Sequence, residues 1–168
     1  MSFESELVNF VKSRSAFYAP IVAAIAAANG GVAPAPTDPS VLSRLCYGEA
    51  PSNVGTLPYV VWTGPFQYDP GNFSGGALAQ KKARFWFSVY TNYLDDAIDW
   101  ITNIENDLTG LFVPGYLFNL TTCRITQMIL DSSSKMQIKS DQSMRTGQEF
   151  PTSGATVAYT IGWQNGTP

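Results

Sequence analysis

The chain has 168 residues, enough for one domain with a substantial core. Only 14% of residues are charged, against 45% hydrophobic and 13% aromatic, and the formal net charge is −3. That balance gives no global drive toward nucleic acid, and it suits a chain with much covered surface, as in a subunit of an assembly. With no histidine, the sequence excludes Ser-His-Asp and Cys-His triads, His-ligated metals and a His general base. Cys46 and Cys123 are too few for a zinc site and too far apart for a CxxC motif. They read as separate buried thiols of a protein made in a reducing cytoplasm.

Helical spacing starts at the N-terminus, with Leu7, Val8, Phe10 and Val11 inside Glu4 to Ser13. Ser15 is placed to cap a second helix through Asn29, rich in alanine and striped by Phe17, Ile21, Ala24, Ile25 and Ala28. Pro20 should kink this helix or mark its start. The basic residues and the apolar run of 13 from Ala16 to Ala28 have some likeness to a signal peptide. Glu4 and Glu6 ahead of the run and Pro20 within it favour a packed helix, and the run is too short to span a bilayer. Residues 31–43 form a Pro-rich connection, extended through Ser40.

A short strand is expected from Arg44 to Glu49 and a second from Leu57 to Tyr68, bent or interrupted at Gly64-Pro65. Asp69 to Gly76 is a loop of turn formers, and Leu78 to Thr91 returns as a long third strand. Within it Phe85, Phe87 and Val89 point one way, and Trp86, Ser88 and Tyr90 the other. After Asn92, the expected N-cap, the period changes to that of a helix with Leu94, Ala97, Ile98, Ile101, Ile104, Leu108 and Leu111 on one face, stopped near Gly110. Leu120 to Leu130 is a fourth strand in which Cys123, Ile125, Gln127 and Ile129 share one face. Residues 131–153 are a polar insert with a weak strand signal at Lys135 to Lys139. Ala155 to Trp163 alternates cleanly as the last strand, with one face buried. The whole reads as a single α+β domain over residues 1–168: a mainly antiparallel four- to five-stranded sheet, two helices packed on one face, and extended loops.

No stretch carries a recognisable catalytic, cofactor-binding or metal-binding constellation. The glycine-rich run Gly71 to Gly76 is not followed by Lys-Ser/Thr and opens no helix, so it lacks the frame of a phosphate cradle. Asp95, Asp96 and Asp99 suit the positive end of a helix dipole and do not match a calcium loop. Asn119-Leu120-Thr121 fits a glycosylation acceptor, which has no meaning in a cytoplasmic protein. Lys81, Lys82 and Arg84 form the one tight basic cluster, read either as charge protecting a strand edge or as a patch for DNA or an acidic neighbour. Lys135, Lys139 and Arg145 in the polar insert could act in the same way. A small enzyme or ligand-binding domain would need an aromatic pocket with a lone carboxylate such as Glu49 or Asp99.

The order of these segments resembles the bacteriophage tail-completion family, also described as tail terminators or tail-to-head joining proteins. The features are the Ala-rich helix from Ala16 to Asn29, the strand RLCYGEAP, Leu57-Pro58-Tyr59-Val60-Val61-Trp62, the strand Ala83 to Tyr90, the helix with Leu94, Ala97 and Ile98 ending at Leu108-x-Gly110, and the closing strand Ala155 to Trp163. The succession of these motifs carries the resemblance. Residues 31–40 and 131–153 are longer than the family's compact pattern.

The resemblance implies a non-enzymatic virion subunit without cofactor, assembled in the host cytoplasm. Such subunits form a ring, commonly a hexamer, that caps the head-proximal end of the tail tube and meets the head connector. DNA passes through the lumen with only weak contact, and no membrane is involved. Another neck protein, such as a head-completion or tube-associated subunit, is the neighbouring alternative. Gly71, Asn72, Phe73, Lys81, Lys82, Arg84, Lys135, Lys139 and Arg145 are the expected assembly contacts, at the tip before the third strand and in the polar insert.

Overall fold

The computed structural model describes residues 2–51, 57–69, 80–111, 120–136 and 153–165. These form helices α1 (Phe3–Ser13), α2 (Ser15–Ala28), α3 (Pro39–Leu42) and α4 (Leu94–Gly110), and strands β1 (Leu45–Tyr47), β2 (Tyr59–Asp69), β3 (Lys81–Thr91), β4 (Cys123–Met136) and β5 (Ser153–Asn165). The strands make one sheet in the order β1-β2-β3-β5-β4. β1 lies parallel to β2, and every other pairing is antiparallel. The architecture is the α+β one expected, with a mostly antiparallel sheet of five strands and four helices.

Period-two alternation decides what the sheet buries. Ala83, Phe85, Phe87 and Val89 of β3 face the helices together with Val157, Tyr159, Ile161 and Trp163 of β5, and all are buried. The helices answer with Phe3, Leu7 and Val11 from α1, Phe17 and Ile21 from α2, and Trp100, Ile101, Ile104 and Leu108 from α4. The Phe3 ring stacks on Trp163 at 4.0 Å and meets the edge of Phe85 at 5.8 Å. Trp100 follows the helical spacing from Ala97 to Ile104 but sits between Asp99 and Ile101, and it extends the apolar stripe expected for α4.

Polar anchors fix the helical layer. Ser2 caps α1 by accepting from the Ser5 amide at 3.3 Å. Glu6 is buried and accepts from the Thr122 amide at 2.9 and 3.1 Å and from the Thr122 hydroxyl, which ties α1 to the entry of β4. Arg14, between α1 and α2, donates from Nε and Nη2 to the two carboxylate oxygens of Asp107 on α4 at 2.9 and 2.5 Å. The paired carboxylate raises its already high pKa. α2 contains Pro20, which has no N–H to offer the Ala16 carbonyl four residues back. The indole N–H of Trp100 occupies that carbonyl instead, at 2.9 Å.

Several boundaries differ from the sequence reading. Ser15 is the first residue of α2 rather than its cap, and the cap position is Arg14 with no side-chain hydrogen bond. Tyr93, not Asn92, holds the N-cap of α4, again without a side-chain bond. The connection expected to stay extended through Ser40 makes one helical turn, α3, because Asp38 accepts from the Ser40 amide at 2.8 Å and hydroxyl at 2.6 Å, with Pro39 at the first position. These bonds hold the Asp38 carboxyl below its ordinary value. Residues 131–136, read as the start of a polar insert, continue β4 opposite β5. Gly64 does not end β2. It absorbs an irregular register between Thr63 and Phe66 at φ 149°, a conformation that favours glycine. A Cβ there would stand 2.6 Å from the Phe85 ring.

Cys46 lies on β1 and Cys123 on β4, the opposite edges of the sheet, and neither is in a disulfide. Four inter-strand spacings separate them, on the order of 19 Å. Among the described residues no helix is long and apolar enough to cross a membrane.

Candidate assembly surface

The helices cover one face of the sheet. Among the described residues no element packs over the other face. Its side chains form rows across four strands. One row runs Phe66, Arg84, Thr160, Ile129, and the next runs Thr63, Trp86, Ala158, Ser132. Three large apolar groups stand out of these rows. Phe66 is 47% exposed, Trp86 45% and Ile129 46%. Phe66 and Trp86 touch across the β2–β3 pair with ring centroids 6.1 Å apart. Exposure of this kind on neighbouring strands marks a surface suited to contact.

Polar groups between these apolar ones are matched to each other. Asp131 accepts from Arg84 Nε at 3.0 Å and from the Thr160 hydroxyl at 2.6 Å. Ser88 and Thr156 share a hydrogen bond at 2.9 Å. Gln80 donates to the Thr126 hydroxyl at 2.6 Å, passing over Gly162, whose missing side chain leaves room for it. The open face is therefore a pre-formed polar lattice with aromatic and aliphatic projections.

Ile129 is exposed because of a backbone detail. Ile125 faces the helices opposite Trp163, but the register shifts between Ile125 and Gln127. The extra residue turns the downstream strand over, so Ile129 opposes Thr160 on the open face while Met128 and Leu130 turn to the helix side. Strict alternation groups Ile129 with Ile125, and the bulge overturns that reading.

The basic cluster expected from sequence is divided by the pleat. Lys81 opposes Trp163 and belongs to the helix side, whereas Lys82 and Arg84 belong to the open face with Arg124. Arg84 is committed to Asp131. Lys135 lies in β4 opposite Ala155. Gly71, Asn72, Phe73, Lys139 and Arg145 fall outside the described residues.

On the opposite side of the molecule, a cleft of about 350 Å³ opens between α2 and α4. Pro20, Ala24 and Trp100 make its apolar floor, and Asp96, Asp99 and Asn103 stand at its rim. α4 carries Asp95, Asp96, Asp99, Glu105 and Asp107 and no basic residue, while α2 has no charged residue at all. Asp95, Asp96 and Asp99 are exposed. Glu49 is exposed just after β1, at the sheet edge away from this cleft. The cleft therefore holds one of the two carboxylates weighed for a lone catalytic acid. Burial pushes the Cys46 and Cys123 thiols up, away from reactive thiolates.

No protein-family profile matches the sequence, and no curated protein matches it. Among solved structures, the chain is similar to one from the virion of a native gene transfer agent (GTA) particle. The likeness covers 78% of this chain and 87% of that one, at 14% sequence identity and a TM-score of 0.41.

Proposed function

We propose that the chain is a structural virion protein, one subunit of a ring-forming tail terminator or tail-completion assembly. In this reading residues 1–168 are a single domain that caps the head-proximal end of a tail tube and joins it to the head connector. The observation that carries the reading is the sheet face that no described element covers, with Phe66, Trp86 and Ile129 projecting from a polar lattice. A one-sided sheet leaves a broad contact surface that a subunit of an assembly puts to use. The succession of tail-completion-like motifs along the chain supports the same role. Its partners are further copies of itself, the tube protein and a neck protein. A net charge of −3 suits a lumen that lets DNA pass without holding it.

The test is deletion of residues 71–76, followed by electron microscopy of the particles. Tails of abnormal length or tails that fail to join heads are expected. Tails of normal length joined normally to heads would count against the role of that tip. Absence of the chain from purified particles by mass spectrometry would remove the reading altogether.

A further inference from the structure

The two faces of the molecule are complementary to each other, and the geometry points to a head-to-tail contact between copies. In it the open sheet face of one copy seats on the α2–α4 cleft of the next. This inference rests on the assembly reading above and names the surfaces that assembly uses.

Three observations meet here. The open face projects aromatic knobs, Trp86 and Phe66, with Lys82, Arg124 and the Arg84–Asp131 ion pair on the same side. The opposite side offers an apolar-floored cleft of about 350 Å³ with acids at its rim. Asp95, Asp96 and Asp99 at the start of α4 are exposed, and α4 carries no base. On the sheet face Arg84 is neutralised by Asp131, which leaves Lys82 and Arg124 to meet an acidic partner. The cleft set against itself would bring Asp96 and Asp99 together with no base among the lining residues. The heterologous arrangement sets Lys82 and Arg124 against Asp96 and Asp99, and a heterologous contact closes into a ring or continues as a filament. Tyr93, 70% exposed beside the cleft, adds an aromatic neighbour for the incoming Trp86.

The experiment has two arms on the full chain. In the first, light and heavy-isotope copies are mixed at high concentration and treated with a zero-length carbodiimide cross-linker. Light–heavy peptides joining Lys82 to Asp95, Asp96 or Asp99 are expected. In the second, Trp86→Asp blocks the sheet face and Ala23→Trp fills the cleft from an exposed helical position. Circular dichroism checks that both variants fold. Each variant alone should self-associate at least tenfold more weakly than the parent in sedimentation velocity. Their equimolar mixture should form a dimer and stop, because one intact sheet face and one intact cleft remain. A mixture that stays monomeric, a folded variant that assembles like the parent, or cross-links joining sheet face to sheet face would overturn the proposal. So would a parent chain that stays monomeric at every concentration, whereas the virion role would then stand or fall on particle composition alone.

Discussion

The exchange of hydrogen bonds around Pro20 makes a quantitative prediction. Proline in a helix interior removes the bond to the carbonyl four residues back, here Ala16, and the Trp100 indole fills the vacancy at 2.9 Å. Trp100→Phe keeps an aromatic ring but leaves that carbonyl without its donor. An unsatisfied, partly buried carbonyl costs about 1–3 kcal/mol, and the smaller ring adds about 1 kcal/mol of lost packing. In a Pro20→Ala background the backbone N–H returns, so Trp100→Phe should there cost only the packing part. The coupling between the two sites is then the carbonyl part, about 1–3 kcal/mol. Urea denaturation of the four proteins measures it, as a difference of about 0.5–1.5 M in midpoint at an m-value of about 2 kcal/mol/M. An equal cost of Trp100→Phe in both backgrounds would refute the reasoning, since the indole would then not be replacing the missing backbone donor.

Three further predictions concern the same scaffold. Glu6→Ala should destabilise by about 1–3 kcal/mol in urea melts, because the part-buried Thr122 amide loses its acceptor, and Glu6→Gln should recover part of the loss. In a double-mutant cycle, Arg14→Gln and Asp107→Asn should show a coupling of about 0.5–1 kcal/mol that shrinks in 1 M salt, since the pair is only partly buried. Stability should fall with rising pH from about 9, as burial raises the pKa values of Cys46, Cys123, Tyr47 and Tyr159 above their ordinary values. The folded state then holds protons that the unfolded state releases, so stability is lost between the unfolded and the raised folded values. A flat melting temperature from pH 8.5 to 10.5 would contradict this.

The regular part of the fold was legible because period and burial agree. Phe85, Phe87 and Val89 alternate with Trp86, Ser88 and Tyr90, and the sheet buries the first set against the helices. The parts that escaped are those where one backbone residue changes the count. The bulge after Ile125 moves Ile129 to the open face, and no residue type in LTTCRITQMIL signals it. The pleat splits Lys81 from Lys82 and Arg84, although they read as one cluster along the chain. The cleft between α2 and α4 joins Pro20 and Ala24 to Asp96 and Asp99, about 75 residues away in sequence, and such a juxtaposition has no local signature. Asp38 illustrates the opposite case, since Asp-Pro-Ser is a helix-start pattern set within a proline-rich stretch whose composition points to extended chain.

The location of the bulges bears on how such a subunit avoids the wrong partners. β4 is a sheet edge of 14 residues, long enough to template unwanted strand pairing. It has register shifts at Ile125/Gln127 and Leu130/Ser132, and the residues between them include the exposed pair Ile129 and Leu130. Irregularity placed beside the most apolar part of the edge blocks strand addition there while leaving Ile129 on the open face for face-to-face contact. Deleting Thr126 should regularise the first shift without changing which face Ile129 occupies, because the downstream pairing from Gln127 to Gly162 is kept. The variant should fold with a modest loss from the missing Gln80 bond and aggregate several-fold faster in thioflavin-monitored incubation. If its aggregation rate equals that of the parent, the bulge does not guard the edge, and protection has to come from the charges of Arg124 and Asp131 on either side.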